Sequence, residues 1–274
     1  MPTAAINGTE LYYETSGGGT PCLALHGGLG FDHQYLRRTL KPLEGRMRMV
    51  YFDHRGNGRS GRPPMETMTM EQLAHDVAGL MDALEIETAL VLGHSYGGFV
   101  AQEFALRHPD RLRGLILVDT TPGQLGSSES ESDEQGPPIP DEMVELMSIV
   151  PATDAEFEAL APRMLPFYVH STPVAEVAAV VDGTIFSAGA MVRGFQVLAG
   201  WSSVDRLGAV TVPTLLPWGK QDLVCSLPQA HRIARRLPAA EVRVFERSGH
   251  FPWLEEPDAF FPAVEEWLTR HALA

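Results

Sequence analysis

Cysteine is nearly absent. Only Cys22 and Cys225 occur in 274 residues, too few for a disulfide framework, and the expected setting is a reducing cytoplasm. No run approaches the roughly eighteen apolar residues that a membrane-crossing helix needs. The first residues, MPTAAINGTELYYE, hold neither a basic start nor an apolar h-region, so no secretory signal is expected. Positive charge is scarce: 21 Lys and Arg face 35 Asp and Glu, for a net charge of −14. Such a surface repels polyanions, so no nucleic-acid partner is expected, and none of membrane type. Metal-binding strings of the H-E-x-x-H or C-x-x-C kind are missing, so neither a metal nor another cofactor is expected.

What is present is an ordinary globular composition, 44% hydrophobic and 20% charged. Apolar runs at Cys22–His26, Met47–Asp53, Ala89–Gly93, Gly114–Asp119, Thr214–Gly219 and Glu241–Phe245 fit strands buried on both faces of a sheet. Ala4–Ile6 and Leu11–Thr15 flank the hairpin signal Asn7-Gly8. Helical spacing follows a possible capping box at Thr69 and Gln72. It recurs from Ser95 to His108-Pro109, over Pro228–Leu237, and from Pro257-Asp258 onward. Alternation of this kind predicts a mostly parallel sheet with helices on both faces. Residues 123–205 break the rhythm and predict an inserted helical cap, with 1–122 and 206–274 forming the core. The insert opens on an acid-rich stretch in which Glu129, Glu131, Asp133, Glu134, Asp141, Glu142 and Glu145 have no Lys or Arg among them. Its start, 123–140, is expected to be mobile.

Gly93-His94-Ser95-Tyr96-Gly97 satisfies G-x-S-x-G between an expected strand and an expected helix. A serine on so sharp a turn needs small neighbours two residues to either side. The helix behind it aims N–H groups at developing negative charge. The glycines of His26-Gly27-Gly28-Leu29-Gly30 would let backbone N–H groups approach a substrate oxygen. A base and an orienting acid should follow in the order Ser, Asp, His. Asp222 and His250 both lie just past strand ends, and Asp119, ending its own strand, competes with Asp222. Gly56-Asn57-Gly58-Arg59-Ser60-Gly61 also fits the dinucleotide fingerprint G-x-G-x-x-G. Pro63-Pro64 replaces the helix that fingerprint requires, so a dinucleotide-binding or other non-catalytic ligand-binding protein is only a remote alternative.

Four blocks in this order, HGGLG at 26–30, DHRGNGRSG at 53–61, GHSYGG at 93–98 and GKQD…SGHFPW at 219–253, resemble the α/β-hydrolase fold and, within it, the proline iminopeptidase-like group. The resemblance implies Ser95 as nucleophile, His250 as general base, Asp222 as orienting acid, and an oxyanion hole from the N–H groups of Gly28 and Tyr96. The chain departs from iminopeptidases at Leu29 and at His94-Ser95-Tyr96, and its cap tryptophan Trp201 is followed by serine rather than glutamate. Esterase or lactonase chemistry on a small acyl compound is therefore expected, with an iminopeptidase-type amidase as the alternative. Phe31, Phe195, Trp201, Phe251 and Trp253 are expected to wall an apolar pocket, helped by Met191, Val192, Val197 and Leu198 from the cap. Were the substrate an amine, Glu142, Glu145, Glu176 or Asp182 would have to hold it.

Overall fold

The computed structural model describes residues 2–123 and 136–273. Eight strands form one sheet: β1 (Thr3–Ile6), β2 (Thr9–Ser16), β3 (Thr20–Leu25), β4 (Met47–Phe52), β5 (Ala89–His94), β6 (Leu112–Val118), β7 (Thr214–Gly219) and β8 (Ala240–Phe245). Their order is β1-β2-β4-β3-β5-β6-β7-β8. β1, β2 and β4 pair antiparallel, and every pairing from β4 to β8 is parallel. The central strands β5 and β7 are buried along their whole length, as the unbroken apolar runs require.

Helices α1 (Gln34–Thr39), α2 (Met70–Ala83), α3 (Tyr96–Arg107), α8 (Leu227–Ala234), α9 (Pro252–Glu255) and α10 (Pro257–Arg270) cover the sheet. One apolar core joins the sheet to α2, α3 and α8, and a second joins its other face to α1 and α10. Thr69 caps α2, its hydroxyl accepting the Gln72 N–H at 3.1 Å. The reciprocal half of the box does not form, because the Thr69 N–H donates to Thr67 O at 3.1 Å, and the Gln72 amide N–H turns to Asp76 at 3.1 Å.

Between β6 and β7 lie α4 (Asp141–Met147), α5 (Asp154–Met164), α6 (Val174–Val181) and α7 (Ala188–Ala199). The ends of this insert meet at an antiparallel bridge between Gly123 and Ser202. Glu129, Glu131, Asp133 and Glu134, with most of the stretch expected to be mobile, lie outside the described residues. The strand order reverses around β3, which is followed in sequence by β4 on one side and β5 on the other. The loops after β3 and β5 therefore diverge and leave a crevice at their carboxyl ends, where open α/β sheets take ligands.

Candidate active site

Ser95 occupies the turn from β5 into α3 with φ +52° and ψ −118°, a strained conformation for a residue with a Cβ. Three hydrogen bonds hold it: its N–H donates to Val118 O at 3.0 Å, its carbonyl accepts the Gly98 N–H at 2.8 Å, and also the Thr120 hydroxyl at 2.8 Å. The flanking glycines are a steric necessity. A Cβ on Gly97 would stand 2.0 Å from Leu25 O, and one on Gly93 would stand 2.5 Å from Gly97 O. Tyr96 opens α3, so its N–H has no acceptor within the helix. Gly28, at φ +67° in the loop after β3, lines the same cavity as Tyr96.

Asp222 and His250 come together from the loops after β7 and β8. His250 Nδ1 lies 2.8 Å from Asp222 Oδ2, and both side chains are fully buried. Asp222 Oδ1 accepts the N–H groups of Val224 at 2.7 Å and Cys225 at 3.1 Å. An Nδ1–H donated to Asp222 leaves the lone pair on Nε2, and Nε2 is buried with no hydrogen-bond partner among the described residues.

Residues that the sequence did not single out complete the surroundings. The Gly27 N–H donates to the Tyr35 hydroxyl at 2.5 Å, which is 2.7 Å from His94 Nδ1, while His94 Nε2 is 2.9 Å from the His250 carbonyl. This chain ties the loop after β3 to the histidine loop. Burial holds His94 well below the usual imidazole range, so it works as a neutral link. From the insert, Tyr168 offers its carbonyl to the His250 N–H at 2.7 Å. Glu255 Oε1 accepts the N–H groups of His170 at 2.6 Å, Ser171 at 2.7 Å and Thr172 at 3.3 Å, and its Oε2 accepts that of Gly249.

Two cavities meet here. One of about 110 Å³ is lined by Ser95, Gly28 and Tyr96, and by side chains of the insert that include Met143, Leu146, Phe157, Met191, Phe195 and Leu198. The other, about 60 Å³, is lined by His250, His94, Tyr35, Phe251 and Leu165. Gly28, Phe31, Met164 and Tyr168 belong to both, and among the described residues neither has a lining Asp, Glu, Lys or Arg. Phe31, Phe195 and Phe251 thus sit on cavity walls. Trp201 and Trp253 do not. The Trp201 indole donates to Glu103 at 2.8 Å and packs on Phe99, whereas the Trp253 indole donates to Thr39 at 2.9 Å, behind Tyr35 and His94. Each follows its polar N–H toward a partner away from the pocket. Val192 and Val197 also line neither cavity, and Glu142, Glu145, Glu176 and Asp182 are exposed.

The glycine-rich loop at 56–61 wraps a carboxylate of its own chain. Asp53 accepts the N–H groups of His33 at 2.9 Å and Arg59 at 2.8 Å, and a Cβ on Gly58 would stand 2.3 Å from Asp53 Oδ2. No helix opens within it, since α2 begins only at Met70. As for metals, Asp222, Cys225 and His250 offer ligand atoms all within 4.8 Å of one another. The Asp222 and His250 atoms are already joined by a proton, and burial with the nearby Asp222 charge pushes the Cys225 thiol well up, so it stays protonated. No helix among the described residues is long and apolar enough to cross a membrane.

The chain is similar to known proteins over nearly its full length. A relative from Caulobacter sp. (strain K31), provisionally named carbamate hydrolase RutD, is 28% identical over 99% of this chain and 100% of its own. Proline iminopeptidase PfmaB of Pestalotiopsis fici is 26% identical over 97% and 98%. The crystal structure of the enol-lactonase from Burkholderia xenovorans LB400 superposes with a TM-score of 0.78 at 28% identity, covering 98% of this chain and 100% of that one. The family model described as alpha/beta hydrolase fold matches residues 21–257, and with the sheet, the crevice and the loops just described the chain belongs to that family and is a hydrolase.

Proposed function

We propose that this hydrolase cleaves small neutral carboxylic esters or lactones through an acyl-enzyme. Ser95 attacks the carbonyl carbon while His250 Nε2 takes its proton. Asp222 fixes the imidazole tautomer and stabilises the imidazolium that forms. The N–H groups of Gly28 and Tyr96 receive the oxyanion. His250 then protonates the leaving oxygen, the alcohol departs, and a water deprotonated by His250 releases the acid. Residues 123–205 act as the lid that dries this chemistry.

The observation that carries the substrate class is the lining of both cavities, which holds no charged side chain among the described residues. An aminopeptidase must hold an ammonium, and burying one unpaired costs several kcal/mol. The two cavities also have chemical identities. His250 must reach the leaving oxygen, so the smaller cavity, which it lines, takes the leaving group. The larger cavity opens on Ser95 and takes the acyl chain, each buried methylene adding about 0.8 kcal/mol. The enol-lactonase resemblance supports this reading, and the iminopeptidase relative names its competitor. The test is kcat/KM across p-nitrophenyl esters of increasing acyl length, lactones and prolyl-β-naphthylamide. Neutral esters or lactones should lead, and a strong preference for the prolyl amide over a matched ester would overturn the proposal.

A further inference from the structure

Asp119 is left over from the chemistry above, yet it is buried beside it. It follows β6 with φ +43°, and its side chain is fully buried. Oδ1 accepts the Gly219 N–H at 2.8 Å, and Oδ2 is buried with no hydrogen-bond partner among the described residues. Its neighbour is Asp222, whose N–H donates to the carbonyl of that same Gly219 at 3.3 Å; the Cys225 thiol lies within 4.8 Å of the Asp222 carboxylate, and the Glu255 carboxylate acts from further off. No Lys or Arg pairs with it among the described residues, and His250 bonds only the far partner, Asp222.

Two neighbouring carboxyl groups, both fully buried, do not both ionise in a dry site. Asp222 is the better-supported anion, with two backbone N–H donors on one oxygen and His250 on the other. Asp119 has a single donor. We propose that Asp119 is a positioning residue that holds a proton and donates it as a hydrogen bond to Asp222, fixing the carboxylate that orients His250. Burial and the Asp222 charge push the Asp119 carboxyl well above its ordinary range, in agreement. The orphaned Oδ2 is then the hydroxyl oxygen, and the pair carries one negative charge. This rests on the triad reading for its catalytic consequence, but not for the proton itself.

The test compares D119N and D119A with the unaltered enzyme. The carboxamide of D119N is neutral and keeps a donor toward Asp222, so D119N should restore most of the kcat that D119A loses, roughly tenfold or more, with KM little changed. The acid limb of the kcat/KM profile should stay within about 0.3 pH unit of the parent in D119N. An acid limb moved down by about one unit or more in D119N would mean that an ionised Asp119 had been removed, and would overturn the proposal. So would a D119A enzyme with unchanged kcat and profile. Should D119A fail to fold, difference infrared spectra of the parent and D119N at pH 7 decide, since the parent must show a protonated carboxyl stretch that D119N lacks. That band should persist in S95A. A band without ester turnover would sink the hydrolytic reading alone, and turnover without the band would sink this one alone.

Discussion

The strained serine is the residue on which most depends, and its replacement is the cleanest check. S95A should abolish turnover and labelling by a fluorophosphonate while leaving the fold intact, because labelling requires the Oγ as attachment point; a labelled S95A protein would refute the assignment. D222N should lower kcat by about three to four orders of magnitude through the wrong imidazole tautomer, and D119N should be far milder, a ranking read directly from steady-state rates. G97A should fail to accumulate as folded protein, since its methyl would stand 2.0 Å from Leu25 O, between two backbones that cannot yield. These positions are legible in the sequence because each sits at a strand end in a tight string whose chemistry dictates its spacing. Tyr35, Tyr168 and Glu255 are not legible. Each acts through contacts with segments 59 to 85 residues away in the chain, and no local pattern announces such a meeting. The tryptophans mislead for a related reason: adjacency to a motif says nothing about where an indole N–H will find its acceptor.

Among the elements, α3 carries the serine at one end and an ion cluster at the other. Glu103 is 2% exposed and accepts from the Trp201 indole at 2.8 Å, from Arg206 at 2.8 Å and from Arg107 at 2.6 Å. Burial works against its charge, but those three donors outweigh it and hold the carboxyl at about 2. A folded value below the unfolded one stabilises at all pH above about 4.5 and is lost as pH falls toward 2. E103Q should therefore cost about 3 kcal/mol in urea unfolding at pH 7, and much less near pH 2. An equal loss at both pH values would mean that the amide fails by packing and not by charge. Asp119 has the opposite sign: its raised value makes the folded state hold a proton the unfolded chain releases near 3.8, so it subtracts stability as pH rises. The strands and the larger core helices could be read from period and capping, whereas α1 and the individual helices of the insert could not. α1 spans only six residues and has no side-chain cap, and the insert's apolar positions serve a cavity as well as a core, which blurs their period.

For the whole molecule, one sheet and one inserted segment account for the site, the sheet supplying loops that diverge around β3 and the insert closing above them. Backbone N–H groups make part of that closure. Ile185 N–H donates to Asp32 at 3.0 Å, Ser187 N–H to Gly30 O at 2.8 Å, and His250 N–H to Tyr168 O at 2.7 Å, with Glu255 joining residues 170–172 to Gly249. E255A should lower kcat for good esters more than it raises KM, because the loop bearing His250, the proposed base, loses its brace; a change in KM alone would make Glu255 a binding element only. That brace also bears on how such enzymes can be recombined. Exchanging the insert for that of a relative would take from Glu255 the three N–H groups it accepts, because Glu255 lies on the sheet side of the junction and stays behind. In a working chimera residue 255 must then be matched to whatever the foreign segment offers at 170–172. The insert and the loop that carries His250 are thus transplanted as one unit.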